Sequence, residues 1–107
     1  MYELLLPEWN KYLAALVAWG AAHRNWDEAF NAYQGVGKML SIDSSIRYTM
    51  QTARVAADKA RDKADTDINL ATGAWVKSVY HTCGSSTSIK WDEDGNCLVQ
   101  GVMLFML

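Results

Sequence analysis

Residues 41–80 contain no proline and a single glycine, Gly73. No other feature limits so strongly what this chain can fold into. Ile46, Met50, Ala53, Ala57, Ala60, Ala64, Ile68, Ala71, Trp75 and Val79 recur at steps of three and four, one face of a 3.6-residue period. The stretch reads as one long helix with an alanine seam. Unbroken, it would span about 60 Å at 1.5 Å per residue, roughly twice the diameter of a small domain. It must therefore bend, break or project toward a partner. Residues 66–72 include Thr, Asp and Asn, weak helix formers, just ahead of Gly73, so a kink or break is expected there.

Two shorter helices are expected upstream. Pro7 suits a first helical turn, where its missing N–H costs nothing, and opens a helix over residues 7–23. Tyr12, Leu13, Leu16, Val17, Trp19 and Gly20 cover most of its circumference, the mark of a buried helix. Asn25, with Glu28 three residues on, offers a variant capping box for a second helix over 25–34. Gly35-Val36-Gly37 would stop it through a left-handed cap. Ser41, Asp43 and Ser44 compete to cap the long helix. Arg54, Asp58, Lys59, Arg61, Asp62, Lys63, Asp65 and Asp67 are read as its solvated outer face, with Arg54–Asp58, Arg61–Asp65 and Lys63–Asp67 paired at i, i+4.

The chain changes character after residue 83. Gly84 to Ser88 reads as a linker. Ile89-Lys90-Trp91 and Cys97-Leu98-Val99 then flank Asp92-Glu93-Asp94-Gly95-Asn96, turn residues with a D-G pair between alternating strands. A β-hairpin over about 88–107 follows. Val102-Met103-Leu104-Phe105-Met106-Leu107 is an unbroken apolar run that must lie in a core, a dimer or a partner. Leu4 to Leu6 could pair with it as a strand. The expected class is thus mainly α, a small helical bundle with a long, kinked helix, plus a C-terminal β-hairpin: α+β in a single domain of 107 residues.

Ten basic and twelve acidic side chains give a net charge of −2, neither a nucleic-acid footprint nor an extreme acidic mimic. Five tryptophans and five tyrosines exceed what a small core needs, and both residue types anchor interfaces. Residues 1–7 lack the basic and long apolar regions of a secretory signal, and no apolar stretch approaches the ~20 residues of a membrane span. A cytoplasmic location is expected. Cys83 and Cys97 then read as reduced thiols, with a disulfide from hairpin to helix end as the alternative.

Catalytic and ligand motifs are weak. Asp92-x-Asp94-x-Asn96 has calcium-loop spacing, but Gly95 falls at the fourth position and Met103 at the twelfth, where glycine at six and glutamate at twelve are required. An acidic hairpin tip explains the same residues. His23, His81, Cys83 and Cys97 lack paired zinc-ligand spacing; the two histidines are read as sitting near helix ends. Gly35-Val36-Gly37-Lys38 lacks a full phosphate-loop pattern and a preceding strand. The serines cluster in the linker. His81 and Cys83, two residues apart on a helix, face different ways. No enzyme activity, metal or cofactor is expected.

What remains is a small, mildly acidic, aromatic-rich chain with an apolar end to cover. That profile suits a non-catalytic inhibitor or adaptor that occupies a protein surface. Phage-encoded anti-defence proteins, anti-CRISPR inhibitors among them, share it by analogy of type. Trp91 would anchor, while Asp92, Glu93 and Asp94 steer toward a basic patch, such as one on a nucleic-acid-binding complex. Direct nucleic-acid or membrane binding is not expected. The alternative is a self-associating module, a homodimer through the long helix and the C-terminal strand with Val102, Leu104, Phe105 and Met106 at the interface. A weaker alternative is a toxin-neutralising immunity protein.

Overall fold

A computed structural model of the chain describes residues 1–38 and 43–107. Two long helices, α1 (Tyr2–Gly37) and α2 (Ser44–Cys83), precede three short strands, β1 (Ile89–Trp91), β2 (Cys97–Val99) and β3 (Met103–Phe105). The strands form one antiparallel sheet in the order β1-β2-β3. The protein is therefore mainly helical with a C-terminal antiparallel sheet, an α+β chain. Among the described residues no helix is long and apolar enough to cross a membrane. The chain divides into two compact units, one of Met1–Leu16 with Ile68–Leu107 and one of Val17–Asp67.

The helix boundaries correct the sequence reading. Where two helices were expected over 7–23 and 25–34, α1 runs without interruption and starts before Pro7. Pro7, inside the helix near its start, costs one i→i−4 bond and crowds the carbonyl of Glu3. In return, the added turn puts Leu5 into the core and stacks Tyr2 on Phe105 at 4.6 Å. Leu4 to Leu6 are consequently helical, not a strand. Asn25 is exposed within the helix and caps nothing. The reason is a seam that never breaks: Leu5, Trp9, Tyr12, Leu16, Trp19, His23, Trp26, Phe30 and Tyr33 alternate steps of four and three, and each is buried or half-buried. That 3.5-residue repeat keeps one side of a helix against its neighbours over its whole length. The rest of α1 is not buried all round: Ala14, Val17, Ala18 and Ala21 are exposed. α1 does end at Gly37, but positive φ is absent from both Gly35 and Gly37.

α2 likewise has no break in residues 66–73, where a kink or break was expected. Thr66 and Thr72 donate their hydroxyls to the carbonyls of Asp62 and Ile68, one turn back, so these side chains are accommodated inside the helix. Gly73 costs about 1 kcal/mol relative to alanine, a small sum beside the burial of Trp75 and Val79 that follows it. Asp43 caps the start: its carboxylate accepts the Ser45 N–H at 2.8 Å, and its carbonyl accepts from Ile46 and Arg47. Ser41 lies outside the described residues. Gly84, at φ +103°, closes the other end by donating its N–H to the Tyr80 carbonyl at 2.9 Å, the left-handed exit that glycine permits.

Within the first unit, Leu5 and Trp9 of α1, Trp75 and Val79 of α2, and Cys97, Val99 and Phe105 of the sheet form one core. The Trp9 indole donates to the Met106 carbonyl at 3.0 Å. Trp75 packs edge-on against Phe105 at 4.7 Å and donates to Cys97 Sγ at 3.4 Å. The cysteines are free.

Within the second unit the seam of α2 differs from the expected alanine row. Ala57 and Ala64 are buried, whereas Ile46, Ala53 and Ala60 are exposed. Beside the buried alanines stand Arg54, Asp58, Arg61 and Asp65, and these meet the aromatic row of α1. Trp26 donates its indole N–H to Asp58 and lies 4.2 Å beneath the Arg61 guanidinium. Tyr33 holds Arg54 at 5.0 Å. Trp19 and His23 both reach Asp65 Oδ1, at 2.7 and 2.9 Å. Four of the charges assigned to the outer face therefore work in the seam, where indoles need acceptors once partly buried. Of the expected i, i+4 pairs, Arg54–Asp58 and Lys63–Asp67 form, while Arg61 reaches Asp62 at 3.9 Å.

Candidate functional site

The side chains expected to bind a partner all lie in the first unit, around the sheet. β1 and β2 pair in the register Ile89↔Val99, Lys90↔Leu98 and Trp91↔Cys97. Alternation along each strand sends Cys97 and Val99 into the core and Lys90 and Leu98 to the opposite face. Trp91 sits at the end of β1 with 40% of its surface exposed. Its ring is braced rather than free: it lies 5.5 Å from Tyr12 and 5.9 Å from Trp9. An exposed indole already held in place loses little further freedom when it is covered.

Asp92 has a different job from the one its charge suggests. Its Oδ1 accepts the N–H groups of Asp94 at 3.0 Å and Asn96 at 2.8 Å. Its Oδ2 accepts from Asn96 Nδ2 at 3.0 Å. Its own N–H donates to the Asn96 carbonyl at 3.0 Å, and its carbonyl accepts from Gly95 at 3.2 Å. The bonds from Asn96, side chain first and then backbone, hold the Asp92 carboxyl below its usual range. Asp92 is thus the organiser of the turn. Of the three side chains at calcium-like spacing, Asp92 and Asn96 use their oxygens on backbone donors within the chain. Glu93 and Asp94 are exposed beside it, and among the described residues no salt bridge holds either carboxylate.

The tip is tied to the chain's last residues, a link that the sequence reading missed. Asn96 Oδ1 accepts the Leu107 N–H at 2.9 Å. Gly95 has a left-handed φ of +85°, and a Cβ there would meet Leu107 Cδ1 at 2.7 Å, so the tip of that exposed side chain would have to turn aside. The left-handed backbone is what favours glycine at this position.

Of the four residues expected at an oligomer interface, the structure separates one. Phe105 is fully buried, with 0% exposure, among Tyr2, Trp9 and Trp75, so it belongs to the core of its own unit. Val102, Leu104 and Met106 face outward, at 79%, 45% and 63% exposure. β3 owes its position to a tight turn: Gln100 and Gly101 both have positive φ, and Val102 donates to the Val99 carbonyl at 3.2 Å. Two successive left-handed residues make the turn whose twist matches an antiparallel pair.

The remaining chemical candidates find other partners. Cys97 is buried, and burial pushes its thiol above the usual range. Cys83 lies with its Sγ 3.6 Å from Met1 Sδ. His81 is in the last turn of α2, as expected, whereas His23 is in mid-helix, bonded to Asp65. Tyr12, half-buried between Trp9 and Trp91, has its phenol raised by burial and then by Cys97. Comparison of the chain with protein-family models, curated proteins and solved structures finds no match.

Proposed function

We propose that this protein acts without catalysis, as an inhibitor or adaptor that covers part of another protein's surface with the hairpin end of its sheet. The observation that carries the reading is Trp91: a large aromatic side chain, 40% exposed, held in one orientation by Trp9 and Tyr12. Tryptophan is enriched among residues that dominate binding energy. Beside it the turn is fixed by Asp92, so Glu93 and Asp94 project from a rigid frame. Two carboxylates next to an anchor favour encounter with a basic surface and act mainly on the association rate. A target that otherwise holds nucleic acid has such a surface, and blocking it is the specific form of inhibition this tip suits.

The test is a pair of affinity baits, wild type and a Trp91→Ala, Glu93→Lys, Asp94→Lys variant, used on lysate of the cells that express the protein. Trp91, Glu93 and Asp94 are exposed, so the variant retains its helical circular dichroism. Proteins retained by wild type and lost by the variant are expected, identified by mass spectrometry. Equal recovery with both baits would remove the tip from the binding surface.

A further inference from the structure

The two outer edges of the sheet are not alike, and the difference follows from hydrogen-bond direction. Gln100 donates to the Ser88 carbonyl, and Asp92 donates to the Asn96 carbonyl. These bonds mark 88/100 and 92/96 as hydrogen-bonded pairs, so Lys90/Leu98 is the pair between them. Cys97 and Val99 then turn their backbone groups toward β3, where they pair with Phe105 and Met103. By the same alternation the N–H and C=O of Leu104 point away from β2, along the outer edge of β3. Among the described residues no hydrogen bond reaches them.

Charge separates the edges further. The β1 edge carries Lys90 and runs into Asp92, Glu93 and Asp94. Charged side chains of this kind block edge-to-edge pairing. Residues 95–107 hold no charged side chain and no proline, so the β3 edge has none of these protections.

We infer that β3 pairs with β3 of a second copy of this chain, antiparallel about a two-fold axis at Leu104. In that arrangement Leu104 of each copy exchanges both backbone hydrogen bonds with Leu104 of the other. Met103 of one lies opposite Phe105 of the other. On the outer face the row Lys90–Leu98–Leu104 continues into its symmetry mate, with leucines meeting at the centre and the two lysines at the far ends. No like charges oppose each other. A two-fold pairing of the β1 edges about Lys90 would instead set lysine against lysine, which is unfavourable. An isologous contact of this kind closes on itself and stops at two copies. A three-residue strand with Val102 and Met106 at its flanks covers less than the ~800 Å² per partner of a standard stable interface. The dimer is therefore weak and concentration-dependent. It uses a different edge from the hairpin tip and stands or falls separately from the tip's binding role.

Sedimentation over a wide concentration range reads the inference directly, on the full chain. Wild type should move from the 12.0 kDa chain mass toward twice that value. Leu104→Pro removes the outward N–H without touching the β2–β3 bonds, because proline is tolerated where a strand's N–H faces solvent. It should keep the wild-type circular dichroism and remain at the monomer mass at every concentration. If Leu104→Pro fails to fold, Leu104→Lys, on the outward face, makes the same test by adding an edge charge. A wild type that stays monomeric at its highest soluble concentration overturns the inference. So does a folded Leu104 variant that still dimerises.

Discussion

Leu104 and Phe105 are neighbours in sequence with opposite environments, and replacing each by alanine tests the register of the whole sheet. Phe105 is fully buried between the rings of Tyr2 at 4.6 Å, Trp75 at 4.7 Å and Trp9 at 5.7 Å. Burying a phenylalanine side chain contributes about 1.5–3 kcal/mol of transfer free energy. Its removal also leaves a cavity between the rings of Tyr2, Trp9 and Trp75, and Phe→Ala changes in cores cost about 3–5 kcal/mol in total. Ring pairing accounts for about 0.5–1.5 kcal/mol per pair beyond area. Leu104, half-exposed on the opposite face, should change stability by no more than about 0.5 kcal/mol. The assay is urea unfolding followed by tryptophan fluorescence, since Trp9 and Trp75 both line the affected site. It is run at a fixed low protein concentration so that association does not enter. Domains of this size hold about 5–15 kcal/mol in all, so Phe105→Ala should lower the midpoint sharply, with Leu104→Ala close to wild type. A register shifted by one residue would exchange the two results. Equal losses, or a loss below 1 kcal/mol at Phe105, would refute the placement of β3.

Two further outcomes follow from the titratable groups. Hydrogen bonds from His23, and then from Trp19, hold the Asp65 carboxyl below its usual range. A depressed folded-state pKa contributes stability that is complete above the unfolded value of about 3.9 and is lost as pH falls through the folded one. Asp65→Asn should therefore flatten the acid limb of the urea midpoint against pH; a limb of unchanged slope would show that Asp65 does not supply it. For the thiols, Cys83 is half-buried and Cys97 fully buried. A thiol reagent should label one site per chain quickly and the second only on unfolding, and two fast sites would place Cys97 outside the core.

The α+β class was legible because the signals for it are local. A proline-free run with helical spacing and a D-G turn between β-branched and aromatic residues each specify their element without help from the rest of the chain. The helix ends were not legible, for the opposite reason. Pro7 and Asn25 carry valid local start signals, but the seam from Leu5 to Tyr33 repeats at 3.5 residues straight through both, and packing outweighs the cost of one missing donor or one idle cap. The four-three alternation was visible in the sequence and was the signal to follow. Asp58 and Asp65 were harder still. Each sits one turn from an arginine, so the i, i+4 pattern explains them without α1. Their bonds to Trp26 and Trp19 depend on tertiary placement that spacing does not encode. At the hairpin, Trp91 lies in a strand and the acidic residues in its turn, as their spacing suggested, but only the hydrogen bonds show that Asp92 holds the turn together while Glu93 and Asp94 lie exposed beside it.

The bond from the Trp9 indole to the Met106 carbonyl joins residues 97 positions apart. Its consequence is temporal. Among the described residues of Val17–Asp67, the side-chain bond that spans the most sequence joins Trp19 and Asp65, 46 positions apart, and everything in that segment is synthesised before the first strand exists. The core around Trp9 has no sheet to close it until Phe105 has been added. Closing so long a loop from an open chain carries an entropic cost that grows with its length, and non-local contacts of this kind slow folding. A segment that has already folded on itself shortens the loop left to close. The order of synthesis thus favours assembly of the middle of the chain first, with the two outlying stretches joined last around their shared tryptophans.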